Sequence, residues 1–141
     1  MKATPEIQIS AFLANKPGVV AHLCSALADR GVSIRAITVL DTVDVGTVRM
    51  LVDDVEVTKE ALDHAGAAYV EVPVISVPIS SRPGSFASIA CTLHDADINI
   101  EYIYATAVPG MDVSLGVFRV SDHAAALALD FEPLTEVAEA G

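Results

Sequence analysis

The sequence is short of positive charge. Eight lysines and arginines stand against 19 aspartates and glutamates, a formal net charge of -11. Holding a phosphate backbone requires clustered Lys and Arg, so nucleic acid is excluded as a partner class. The acids are scattered, with Asp53-Asp54 their only adjacent pair, and read as a solubilising surface. Long apolar runs are missing as well. None approaches the roughly 20 residues of a membrane span, so no membrane partner is expected. The opening "MKATPEIQIS" has one lysine and no apolar h-region, which points to a cytoplasmic protein. Cysteine is scarce too: Cys24 and Cys91 are the only two and neither belongs to a C-x-x-C pair. Cys24 shares the apolar stripe Val20, Leu23, Leu27 of its helix, so a buried, reduced thiol is expected there.

What the chain does have is hydrophobic content, 52% of 141 residues, ample for one ordinary domain or two small ones. It also has a repeat. "FLANKPGVVAHLCSALADRGVSIRAI" (Phe12 to Ile37) reads almost like "ISSRPGSFASIACTLHDADINIEYI" (Ile79 to Ile103). Lys16-Pro17-Gly18 lies 66 positions before Arg82-Pro83-Gly84. At that offset Val20, Leu23 and Leu27 fall on Phe86, Ile89 and Leu93, and Val32 and Ile34 on Ile98 and Ile100.

Each half gives the same order of elements. Glu6 to Ala14 alternates like a strand, and a helix is expected from Pro17 to Arg30, with Asn15 as N-cap and Gly31 as its stop. Two β-rich runs follow, joined by a hairpin across Thr42 to Gly46, then a short helix from Thr58 to Ala67 and a strand from Tyr69. In the second half a strand precedes a helix from Pro83 to Ala96, where Asp97 replaces Gly31. A hairpin across Pro109-Gly110 and a short helix, Asp122 to Asp130, come next. The last strand is expected within "FEPLTEV", Phe131 to Val137. This βαββαβ order, occurring twice, makes an α+β protein of two ferredoxin-like units. Each is a four-stranded antiparallel sheet with two helices on one face. The boundaries expected are residues 6–72 and 73–141.

A helix that begins directly after a strand leaves backbone N–H groups without partners at the positive end of its dipole. A glycine there permits close approach to the main chain and a preceding proline stiffens the turn. Such a turn either holds an anion such as a carboxylate or is only a well-made turn. Beyond each helix, Ser33 and Arg35, and likewise Asn99 and Glu101, alternate with apolar residues and point away from the helices. Asn99 both donates and accepts, which suits an amino or carboxylate group.

Other chemistry-bearing residues form no pattern. His22, His64, His94 and His123 fall on four different helices or helix starts without i, i+4 partners, so no metal is expected. No serine lies in a nucleophile elbow. Tyr102 and Tyr104 alternate on one strand face and read as packing residues. Arg49 and Arg119 read as solvated strand residues, Arg119 with a neighbouring acid in reach. Asp53-Asp54 ends a strand at a turn.

The two strand-turn-helix segments, with "DVGTVRMLVDD" and "VSLGVFRVSD", resemble ACT domains. From about Ile7 to Leu129 the chain is similar to small stand-alone bacterial proteins made of two such domains. The resemblance implies a non-catalytic regulatory protein without a cofactor. It implies a homodimer that binds an amino acid where ACT units meet, using the turn of one unit and the second strand of its neighbour. Carried onto this sequence, the better-kept site is Arg82, Pro83, Gly84, Ser85 and Phe86 facing Asn99, Glu101 and Tyr102. The other is Asn15, Lys16, Pro17, Gly18, Val19 and Val20 with Ser33 and Arg35. Ser81, Ser85 and Ser33 depart from the Asp, Gly and Asn common in the family. A second reading is a regulatory or adaptor subunit of a larger enzyme. A third is a small acylphosphatase-like enzyme, for which the candidate loop lacks a second glycine.

Overall fold

A computed structural model of the chain describes residues 1–41, 45–106 and 112–134. The elements in order are β1 (Thr4–Ala14), α1 (Val19–Asp29), β2 (Ile34–Asp41), β3 (Val45–Val52), α2 (Val55–His64), β4 (Ala68–Ser80), α3 (Ser85–Asp95), β5 (Ile100–Ala105), β6 (Val113–Val120) and α4 (His123–Ala128). The chain divides into two compact units, Ile7–Val72 and Met1–Glu6 together with Pro73–Gly141. Each is α+β, with antiparallel strands and, among the described elements, two helices.

In the Ile7–Val72 unit the strand order is β2-β3-β1-β4. Ile9 pairs with Met50 and Ala11 with Val48, so alternate β1 and β3 residues share one face. That face meets Leu23 and Leu27 of α1 and Ala61 and Leu62 of α2 in one buried cluster. The i, i+4 spacing of Leu23 and Leu27 aims both at the sheet. Helix α2 starts three residues earlier than the apolar pattern suggests. Asp54 caps it, accepting from the Val57 amide at 3.0 Å, so Asp53-Asp54 is a helix start as well as a strand end. Lys59 ties α2 to β4, reaching Glu71 at 3.1 Å and Glu56 at 3.3 Å. The hydrogen bond to Glu71, then that to Glu56, raises its pKa above the usual lysine range.

The other unit orders its strands β1-β4-β6-β5, with only the Thr4–Glu6 stretch of β1 taking part. Its cluster joins Ile75, Val77 and Phe118 to Ile89 and Leu93 of α3, Ala126 of α4 and Phe131. The strand expected within Phe131 to Val137 does not appear among the described residues: Phe131 to Pro133 carry no strand, and Thr135 onward lies outside that range. The start of the chain takes its place beside β4. Ala3 is buried in the cluster, Glu6 accepts from Ser76 Oγ at 3.3 Å, and the Met1 and Phe131 main chains exchange two hydrogen bonds of 2.8 and 2.7 Å. Lys2 adds a bond to the Ala128 carbonyl at 2.7 Å, at the end of α4.

The stripes match at two of three positions. Leu23, Leu27, Ile89 and Leu93 are buried and Val20 packs against its cluster, but Phe86 is 46% exposed. Its ring lies over that of buried Phe118, centroids 6.3 Å apart and 15° from parallel, so it lids the core rather than entering it. Cys24 is half-buried and Cys91 exposed, both with free thiols. The hairpin turns expected at Thr42 to Gly46 and Pro109-Gly110 fall largely outside the described residues.

Helix α1 ends with Val32 donating to Leu27 and Gly31 to Ala28, and α3 ends the same way, Ile98 to Leu93 and Asp97 to His94. Both C-termini therefore need a left-handed residue. Gly31 has φ 74°, and Asp97 is the only non-glycine residue with positive φ among those described, at 59°. Asp97→Gly is expected to stabilise its unit by about 0.5–1 kcal/mol, read by urea denaturation. An unchanged or lowered midpoint would show that Asp97 is held by more than its backbone angle.

Candidate functional site

Gly18 and Gly84 are the N-caps of α1 and α3, with φ 89° and 92°, and neither helix receives a side-chain cap. The caps expected from Asn15 and from helices beginning at the prolines give way to this geometry. A proline fixes its own φ, whereas the left-handed glycine sets the helix direction two residues later. In each first turn the N–H after the glycine makes only a long contact, Val19 to Lys16 at 3.5 Å and Ser85 to Arg82 at 3.4 Å. The next amides, Val20 and Ala21 or Phe86 and Ala87, have no acceptor among the described residues. They sit at the positive end of an 11-residue helix. The space above is open: a Cβ on Gly84 would meet nothing within 4 Å, and one on Gly18 only His22 Cδ2 at 3.8 Å.

The second turn is the more firmly built. The Ser80 amide donates to Ser85 Oγ at 2.9 Å, and the Arg82 amide to Ser80 Oγ at 3.2 Å. Ser81 donates to the Asp112 carbonyl at 2.8 Å. Ser85 is consequently only 4% exposed and its hydroxyl faces the end of β4. Arg82, Pro83 and Gly84 stay exposed, as do Asn15, Lys16, Pro17 and Gly18; Val19 and Val20 are half-buried. The apolar valine at 19, where the other turn has Ser85, leaves the first turn without this hydroxyl pair.

The strand residues lie elsewhere. Asn99 is exposed, its main chain clipped to Ser121, and its side-chain amide takes no bond from the described residues. It lines a hollow of about 160 Å³ with His94, Asp97 and Ile98. Ser33 is clipped to Asp53 in the same way, through Asp53 Oδ1 at 2.9 Å. Glu101 sits at a β-bulge and pairs with Arg119 Nε at 3.4 Å; Arg119 also donates to the Pro73 carbonyl at 2.8 Å. Arg35 occupies the corresponding bulge on β2. Tyr102 is half-buried opposite Arg119.

Within one unit, therefore, the turn and the strand residues stand at opposite ends of a helix about 16 Å long. The fold gathers Arg82 to Phe86 in one place and Asn99 to Tyr102 in another. Reading the sequence missed Ser80, which seats the turn, and the Asp53 and Ser121 anchors. A visible signal existed: each third strand is followed by a small acceptor at the position where it can clip the start of the second strand.

Among the described residues no three His, Cys, Asp or Glu side chains come together as a metal site would require. His22, His64 and His94 are exposed. His123 Nδ1 is buried without a partner among those residues. No described helix is long and apolar enough to cross a membrane.

The fold has solved counterparts. Protein BT0572 from Bacteroides thetaiotaomicron superposes with TM-score 0.82 at 24% identity, covering 96% of each chain. The regulatory subunit of aspartate kinase from Thermus thermophilus gives TM-score 0.65 at 19% identity, over 90% of this chain and 93% of that one. Its counterpart from Thermus flavus gives 0.61 at 19%, over 99% and 97%. No curated protein sequence matches. The profile of the ACT domain pair matches residues 5–130, and with nearly the whole described chain inside that span, the protein belongs to the ACT-domain-pair family.

Proposed function

We propose that this is a non-catalytic regulatory protein that binds an amino acid at an interface between ACT units. The observation that carries this reading is the pair of left-handed glycines, each followed by two amides without acceptors under open space. A carboxylate fits such a site by charge and by geometry. Because the turn and Asn99 lie a helix length apart, a complete site needs the strand of a neighbouring unit, which a second copy in a homodimer supplies. The Phe86 and Ala87 amides then hold the carboxylate over the Arg82-Pro83-Gly84 turn, the Phe86 ring borders the ligand, and Asn99 takes its amino group. Ser85 contributes by shaping the turn, and Glu101 and Tyr102 by flanking Asn99. Lys16 to Val20 with Ser33 and Arg35 form the weaker counterpart.

A thermal-shift panel of the common amino acids, followed by calorimetric titration, tests the reading. Asn99→Ala is expected to weaken binding of the best ligand by about 1–3 kcal/mol, since a buried polar partner is lost. Arg82→Ala is expected to cost less, because main-chain donors carry the site. Wild-type affinity in Asn99→Ala would remove the facing strand from the site.

A second reading takes its support from the aspartate kinase regulatory subunits, which share the fold at TM-scores of 0.65 and 0.61. Here the protein regulates a larger enzyme of amino-acid metabolism directly. Co-purification of a stoichiometric enzyme, with no amino acid giving a thermal shift, is the result that favours it.

A further inference from the structure

A cleft of about 420 Å³ opens between α1 and α2 in the Ile7–Val72 unit, away from the strand residues of the proposed site. Its wall is apolar apart from one imidazole: Leu13, Leu23 and Leu62 line it with Ala26, Ala61 and Ala65, Val19 of the first turn closes one end, and His22 is its polar member. The size and composition are those of small-molecule pockets, which are mostly apolar with few polar groups. Short side chains keep it open. Where a core would place a large residue, both helices present alanine.

The other repeat shows what such a space takes. There, α4 stops at Ala128 and the chain turns Phe131 into the cluster containing Ile89 and Leu93, the counterparts of Leu23 and Leu27. Phe131 is 2% exposed. Beside it, Glu132 Oε2 accepts from Ser88 Oγ at 2.7 Å, and Ser88 is the counterpart of His22. One unit thus supplies an aromatic ring and a carboxylate from its own chain. The first unit instead continues α2 to His64 and has Ala65 and Gly66 at the corresponding positions, its aromatic contribution coming from Tyr69 on β4.

We propose that the α1/α2 cleft binds a small carboxylate carrying a phenyl or branched alkyl group, the apolar part standing where Phe131 stands in the other unit and the carboxylate accepting from His22. The cleft adjoins the first Pro-Gly turn, sharing Val19 with it and placing His22 beside Gly18, and extends from there between the helices, apart from the Arg82-Pro83-Gly84 turn. A free acid and an apolar amino acid share this chemistry, so both are probes.

Nuclear magnetic resonance titration of the full chain with 3-phenylpropanoate, phenylalanine, leucine and 3-phenylpropanol tests it. Expected are amide shifts centred on Val19 to Ala26 and Ala61 to Ala67, with the alcohol binding more weakly than the acid. Phenylalanine or leucine outcompeting 3-phenylpropanoate assigns the site to amino acids, and the reverse order to organic acids; either supports it. Ala65→Leu and Ala26→Leu, made separately in case one disturbs folding, should each lower affinity at least tenfold while raising the melting temperature. His22→Ala should erase the preference for acid over alcohol. Gly84→Val, which disables the turn site of the other unit, should leave these shifts unchanged. Absence of shifts with every probe, or wild-type affinity in both filled variants, overturns the proposal. So does a change of oligomeric state on filling the cleft without any effect of ligand, which would give the cleft to a second copy.

Discussion

Gly84→Val is expected to abolish amino-acid binding at the better-built turn while leaving the protein folded. The glycine sits at φ 92°, so any side chain there is strained by about 1–3 kcal/mol. That cost falls on stability and not on contacts, since a Cβ meets nothing within 4 Å. The same emptiness makes the variant informative: the isopropyl group enters the space above the Phe86 and Ala87 amides that the carboxylate needs. Losing two charge-assisted hydrogen bonds at about 1.5–3 kcal/mol each removes about a hundredfold or more in affinity. Gly31→Val is the control, because Gly31 also has positive φ and open space but ends a helix. It should lose comparable stability and keep the ligand. Calorimetry on the pair settles the matter: if Gly84→Val binds like wild type, the turn is only a turn, and the direct regulator of a larger enzyme becomes the better account.

Deleting Met1 to Glu6 is the second large effect. These residues belong to the unit built from Pro73 onward, where they stand beside β4 and bury Ala3 among Ile75, Val77 and Phe131. The deletion removes the two Met1–Phe131 main-chain bonds, the Ser76–Glu6 contact and the Lys2 bond to Ala128. It also exposes β4 and part of the core. At about 1 kcal/mol per net hydrogen bond plus the lost burial, roughly 3–5 kcal/mol is expected. For a unit of this size that is a fall of well over about 10 °C in melting temperature. Hydrogen exchange should show β4, β6 and α3 losing protection while α1 and β3 keep theirs. Uniform loss across both units, or none, would contradict the division of the chain described above.

Much of the fold was legible because it was written twice. Leu23 with Leu27 and Ile89 with Leu93 sit at helical spacing on an apolar face, and each helix ends where a left-handed residue, Gly31 or Asp97, is needed. Phe86 falls on the same stripe, yet unlike its counterpart Val20 it stays 46% exposed and its ring packs over Phe118 from outside, a difference the helical spacing does not show. The closing strand of the second unit was not legible. Three residues, Thr4 to Glu6, are too few to show alternation, and nothing local tells them which of two distant partners they will pair with. Of the site, the turns were visible through Pro-Gly, whose backbone role follows from residue type alone. The inward aim of the Ser85 hydroxyl was not, because it depends on where the Ser80 amide ends up.

The bond between Met1 and Phe131 also sets an order of events in time. Its partners are separated by 130 residues, so residues made early are among the last to find their place. At about 5–20 residues per second, Met1 to Glu6 wait roughly 6–26 s for Phe131 to be made. During that interval the Ile7–Val72 segment has all its strands and can fold, while a short stretch with Ala3 uncovered trails from it. Contacts of such long range are slow to form. Closing the second unit is therefore expected to be the last and slowest step of folding, and a refolding experiment should find its protection appearing after that of the first.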